Sequence, residues 1–163
     1  MTRLSWNELF SQDPSLDFAR IFGSWPDALG KVMPIGMSVF GDVFYAKPDE
    51  SVWRLDSFTG ESRQVAASQD EFSRFMNSEP WQIENLRTEL VLSARDKGLK
   101  RGPAQVFAPV PPPTLSGGRV PSEFVVMDAV VWHHISSQTI HGAANAPRDP
   151  SGDGRSKPWW KVW

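Results

Sequence analysis

The chain has 163 residues, 17 Lys and Arg against 19 Asp and Glu for a formal net charge of −2, eight Trp and no Cys. At 40% hydrophobic and 22% charged it holds enough apolar material for one packed core, which excludes a chain disordered throughout. The missing thiols exclude disulfides, thiolate metal sites and a Cys nucleophile, and the balanced charge gives no global pull toward nucleic acid or an anionic membrane.

Near the start, Asn7, Glu8 and Gln12 interrupt the apolar stretch that a signal peptide needs. No 18 apolar residues run together, so no transmembrane helix is expected, and the chain is expected in the cytoplasm. Residues 4–22 read as one or two short helices. Ser5 and Glu8 are spaced as a capping box, and Leu4 and Leu9 as its staple. Segment 23–36, rich in Gly and Pro, reads as loop. From Met37 to Ala67 the pattern becomes short β runs separated by Gly41-Asp42, Pro48 to Ser51, and Thr59-Gly60, an antiparallel meander of three or four strands.

Helical spacing returns at Ser68, which with Glu71 caps a helix bearing Phe72, Phe75 and Met76. Pro80 suits the first turn of a longer helix with an apolar stripe of Ile83, Leu86, Leu90 and Ala94, stopped by Gly98. Its charged side, including Glu84, Arg87 and Glu89, reads as a solvated face. Pro103 to Phe107 is expected as a strand. Pro109 to Pro113 has the composition of a polyproline ligand, but its place between two core-forming segments favours a rigid connector. Phe124 to Trp132 reads as a buried strand passing into a short helix from His133 to His141. The class is α+β: one domain over residues 1–146, a β-meander packed with helices, then a Trp-rich tail over 147–163. Trp6, Trp53, Trp81 and Trp132 are the expected core tryptophans.

Candidate chemistry is sparse. His134 and His141 could share a helix face, with Asp128 as a third ligand, but the spacing matches no metal motif, and no metal or other cofactor is expected. Ser136 or Ser137 with a His and Asp128 makes a hydrolytic triad on paper without a nucleophile elbow. Neither phosphate-cradling glycine fingerprint occurs. Lys97, Lys100 and Arg101 form one small basic cluster and Arg155, Lys157 and Lys161 another, neither of them beyond ordinary loop composition. Charge is unevenly divided, however. Residues 1–80 hold 7 Lys and Arg against 12 Asp and Glu, net −5, and residues 81–163 hold 10 against 7, net +3. Within the meander, Asp42, Asp49, Glu50, Asp56 and Glu61 interleave with Phe44, Tyr45, Trp53 and Arg54, a pattern that suits a basic protein partner.

Several stretches also resemble a known family. They are Val39 to Phe44, Val52 to Asp56 with Thr59-Gly60-Glu61, and Ser68 to Phe72. Each is similar to a segment of the bacterial type VI secretion immunity family associated with DNase effectors, related in style to the SMI/KNR-like (SUKH) immunity proteins. Phe107 to Gly118 looks like that family's proline and Leu-Gly-Gly segment, and Val125 to Ile135 with Gln138 like its closing strand and helix. The likeness spans residues 35–142. It implies a non-catalytic inhibitor that binds a cognate secreted toxin in the cytoplasm and covers its active site or substrate face, with neither nucleic acid nor membrane as partner. Against a nuclease, Asp42, Asp49, Glu50, Asp56 and Glu61 would stand in for phosphates, with Tyr45 and Arg54 beside them. Trp159, Trp160 and Trp163 are a second candidate surface. The competing expectations are a small enzyme using Asp128 with His133 or His134, and an adaptor or chaperone that works through the tail.

Overall fold

The computed structural model describes residues 4–25, 30–117 and 119–145. Among them, β1 (Phe10–Ser11), β2 (Met33–Ser38), β3 (Val43–Ala46), β4 (Val52–Leu55) and β5 (Ser62–Ala66) form one antiparallel sheet in sequential order. A second antiparallel pair joins β6 (Gln105–Pro109) to β7 (Phe124–Asp128). With the helices around them, these sheets make the expected single-domain α+β arrangement.

The turns follow from local chemistry. Between β2 and β3 the Ser38 amide donates to the Asp42 carbonyl at 2.8 Å, and the Ser38 hydroxyl accepts from the Asp42 amide at 3.1 Å. Gly41 sits there at φ 95°, and a Cβ on it would lie 2.8 Å from the Trp132 ring, so backbone and packing both demand glycine. At the β4–β5 turn the Gly60 amide donates to the Asp56 carbonyl at 2.8 Å. β2 begins at Met33, inside the segment expected as loop, because pairing with β3 overrides the local Gly and Pro preferences. Pro34 and Gly36 flank a register shift that accommodates them. β1 is a further addition to the expected meander.

Each face of the sheet is covered differently. Phe44 and Arg54 point toward α3 (Gln69–Met76), α4 (Glu79–Leu86) and α5 (Thr88–Asp96), with the Phe44 ring 5.5 Å from Phe72 and 5.9 Å from Trp81. Tyr45, on the opposite face, meets Phe22 of α2 (Phe18–Gly23) edge-on at 5.8 Å. Phe40 stacks near Phe58, Phe107 and Phe124, which welds the two sheets together. The Phe107 amide donates to the Val39 carbonyl at 2.8 Å across the same junction. α6 (Ala129–Asn145) then lays Trp132 against Phe58. Burial of each such ring contributes about 1.5–3 kcal/mol.

Two helical expectations change. The helix expected from Pro80 to Gly98 divides into α4 and α5 at Arg87, which adopts left-handed backbone at φ 52°. Within α4, Ile83 is 49% exposed and leaves the apolar stripe, while Asn85 is buried. The apolar run 124–132 is a strand only to Asp128, with Val125 and Val131 exposed. Asp128 accepts from the Val131 amide at 3.1 Å and so starts α6 four residues ahead of His133. Of the tryptophans, Trp132 and the unexpected Trp25 are buried, while Trp6, Trp53 and Trp81 are half-buried against the core. No described helix is long and apolar enough to cross a membrane.

Candidate functional site

Antiparallel pairing puts the β2–β3 and β4–β5 turns at the same end of the sheet, and a buried ion cluster forms there. Asp42 is fully buried and accepts from the Arg54 Nη2 at 3.0 Å and from the Ser57 amide at 2.8 Å. Arg87 reaches over from the break between α4 and α5. Its Nη2 donates to Asp56 at 2.8 Å, its Nε lies 3.5 Å from Asp42, and its guanidinium rests 4.1 Å above the Phe58 ring. Arg54 is 3.6 Å from Asp56 as well. Two guanidiniums and two carboxylates thus balance one another, with Asp42 and Arg54 buried and Arg87 and Asp56 partly open to solvent. Burial works to raise the Asp42 carboxyl, but Arg87, Arg54 and the Ser57 amide together hold it below the ordinary carboxylate range. Burial opposes the Arg87 charge, and Asp42 and Asp56 more than restore it. Asp42 and Arg87 are therefore each held in the charged form by their neighbours.

This network has a structural cost and a compensation. A left-handed non-glycine residue stores about 1–3 kcal/mol, which the ion pairs of Arg87 offset. Ser57 ties the same corner to α6. Its hydroxyl donates to the Phe40 carbonyl at 2.8 Å and accepts from the Trp132 indole at 3.1 Å, and its carbonyl accepts from the Ser136 hydroxyl.

Beside the cluster lies a recess of about 390 Å³ lined by Arg54, Asp56, Glu61, Ser62, Arg63 and Arg87. β5 is the sheet's last strand and supplies the outer wall. Arg63 donates to Asn85 at 3.1 Å and stands 4.0 Å from Glu84, both side chains of that ion pair mostly exposed. Beneath the wall the Nε atoms of Arg54 and Arg87 are buried without a hydrogen-bond partner. The wall presents fixed charges of both signs. Asp42 and Arg87, each held in its charged form by its neighbours, are not poised to exchange protons near neutrality.

The residues expected at a partner surface divide into three groups. Asp42 and Tyr45 are fully buried, which takes their side chains off the free surface, and Arg54 is nearly buried with its side chain reaching the recess. Arg54 pairs with Asp42 across the turn, which overrides the rule that charges sit outside. The Tyr45 hydroxyl, near Ser62, is pushed up by burial. Asp56 is half-buried in the cluster and Glu61 is exposed on the recess rim. Asp49 and Glu50 are exposed in the β3–β4 turn at the far end of the sheet, so the five acids make no single face. The Asp49 carboxylate accepts from the Ser51 hydroxyl at 2.5 Å and the Ser51 amide at 3.1 Å, which hold it below its ordinary range. Trp159, Trp160 and Trp163 lie outside the described residues.

Groups weighed for catalysis are engaged elsewhere. His133 is fully buried, accepting from the Trp25 indole at Nδ1 (3.1 Å) and donating from Nε2 to the Gly41 carbonyl (2.7 Å). Burial pushes its pKa down to about 4. His134 is exposed and faces Gln138 at 3.1 Å, while Asp128 caps α6. Ser136 is committed to the Ser57 carbonyl, while Ser137, the other serine of the paper triad, is buried on α6 beside His134 and His141. Among the described residues, no three His, Asp or Glu side chains are grouped to hold a metal ion.

Arg87, Ser57 and Asn85 carry the site without having been singled out from the sequence. Arg87 looked like one more charge on a solvated helix face. The available signal was phase, since Trp81 and Asn85, four residues apart, define an inner face that Ile83 does not share. No protein-family model matches the chain, and no curated protein matches it either.

Proposed function

We propose that the chain is a non-catalytic immunity-type protein that binds a cognate secreted toxin in the cytoplasm. It covers the toxin's active site or substrate face, and the recess at Arg54 and Arg87 lies within its contact surface. One observation carries this reading: the recess is floored by interlocked ion pairs, Arg54 with Asp42 at 3.0 Å and Arg87 with Asp56 at 2.8 Å. A surface of fixed, pre-positioned charges suits charge-complementary docking better than proton transfer. The likeness of residues 35–142 to immunity proteins supports the same conclusion. The exposed rim residues Glu61, Ser62, Arg63 and Glu84 set the partner's charge pattern, with Glu61 and Glu84 suited to a basic substrate face.

The test is protection of cells made to co-express this chain with a candidate cognate toxin domain. The wild type is expected to restore growth. A Glu61→Lys, Arg63→Glu, Glu84→Lys variant is expected to lose protection and slow association at low salt, with its melting temperature within a few degrees of wild type. Failure of the wild type to protect sinks the function, and full protection by the variant moves the contact surface away from the recess.

A further inference from the structure

A second concavity lies between α1 (Trp6–Leu9), the C-terminal end of α5 and β6, and shares no residue with the recess above. It encloses about 460 Å³, room for one or two side chains. Its apolar lining comes from Val91, Leu99 and Phe107, and its rim from Arg95, Lys100 and Arg101. The rim is unbalanced in charge. Glu8 is the acid lining it, and its carboxylate is already engaged by Arg95 at 3.0 Å and by the Ser5 amide at 2.7 Å. Arg101 is fixed at the mouth by a 2.9 Å hydrogen bond to the Asn7 carbonyl, and Lys100 is exposed. Neither forms an ion pair among the described residues. Burial pulls the Arg101 pKa down, the signature of a desolvated cation without a carboxylate to balance it.

An apolar hollow edged by two unbalanced cations complements a group that is apolar at one end and anionic at the other. We propose that this groove binds an acidic, apolar segment of a partner polypeptide, seating an apolar side chain on Val91, Leu99 and Phe107 while a neighbouring carboxylate pairs with Arg101 and Lys100. A forked guanidinium can take a carboxylate through two N–H bonds, which fixes the orientation of the segment. The inference stands on the groove and does not depend on the partner being a toxin.

The experiment is a ¹⁵N NMR titration of the full chain with three probes: acetyl-Glu-Leu-Phe-Asp-amide, acetyl-Lys-Leu-Phe-Lys-amide and decanoate. The acidic peptide is expected to shift the amides of residues 98–101 and the Arg101 Nε–H saturably, with affinity at least about tenfold above the basic peptide. Lys100→Glu removes a side chain with no hydrogen bond or ion pair among the described residues. It is expected to weaken the acidic peptide about tenfold while leaving the rest of the amide spectrum in place. Equal binding of the two peptides, shifts centred elsewhere, no saturation by the acidic peptide, or undiminished binding by Lys100→Glu would each overturn the proposal. Saturation by decanoate alone would also overturn it, since the groove would then serve a small apolar acid.

Discussion

Replacing Asp42 by Asn tests whether the ion cluster is the keystone of the sheet's end. The amide nearly preserves the carboxylate's shape, and its oxygen can still accept from the Ser57 amide, which donates at 2.8 Å in the wild type. Lost is the charge facing Arg54, which is 4% exposed and whose other carboxylate, Asp56, lies 3.6 Å away. Breaking one partner out of a buried ion pair costs about 3–5 kcal/mol, because the remaining charge stays buried. Against a domain stability of about 5–15 kcal/mol, the variant is expected to remain folded but to melt roughly 10 °C lower. Urea unfolding at pH 7 measures the difference, which should hold between low and moderate salt because buried pairs are poorly screened. A pH series supplies the sign. Asp42 has a folded pKa below its ordinary 3.8, so its contribution is complete above that value and is lost as the pH falls through the folded pKa. The gap between wild type and variant should stay level from pH 8 to 5 and close in stronger acid. A loss under about 1 kcal/mol at pH 7, or a gap that halves in moderate salt, would show the cluster to be wet and the reasoning wrong.

His133 gives a separate acid sensitivity. Its folded pKa of about 4 lies below the ordinary 6.5, so stability is complete above 6.5 and about 3 kcal/mol is lost as the pH falls from 6.5 to about 4. Urea unfolding across that window should show the loss in the wild type and a flatter profile in His133→Gln, and a ring resonance that titrates near 6.5 would contradict it. At Arg87, the left-handed backbone predicts that Arg87→Gly is about 1 kcal/mol more stable than Arg87→Ala, although both lose the ion pairs. Gly41→Ala combines φ 95° with a 2.8 Å approach to Trp132, and its cost is expected to exceed about 2 kcal/mol in urea unfolding, with the indole fluorescence altered.

Features settled within a few residues could be read from the sequence. Ser5 and Glu8 pair as expected, the carboxylate accepting from the Ser5 amide at 2.7 Å. Ser68 accepts from the Glu71 amide at 3.1 Å, while Glu71 reaches back to the Ala67 amide at 2.6 Å. The meander and its turns are local in the same sense, because glycine conformation and alternating apolar residues act over four to eight positions. Asp42 is the opposite case. An acid following glycine looks like an exposed turn, and only Arg54, Ser57 and Arg87 make its burial tolerable. The helix break at Arg87 is likewise decided by a carboxylate at Asp56, 31 residues away. Propensity within the segment favours one continuous helix, and tertiary pairing overrides it.

That division bears on how the site can be dissected. Asp42, Arg54 and Arg87 are floor residues whose removal weakens fold and recess together, so a loss of binding in those variants says little about contact. Glu61, Ser62 and Arg63 line the same recess as exposed residues on the outer strand and its turn, where substitutions away from structural features usually change stability by less than about 0.5 kcal/mol. Partner choice can therefore be varied at the rim while the ion-paired floor holds the frame. A rim variant that lost binding and stability in equal measure would contradict this separation, and would make β5 part of the frame as well.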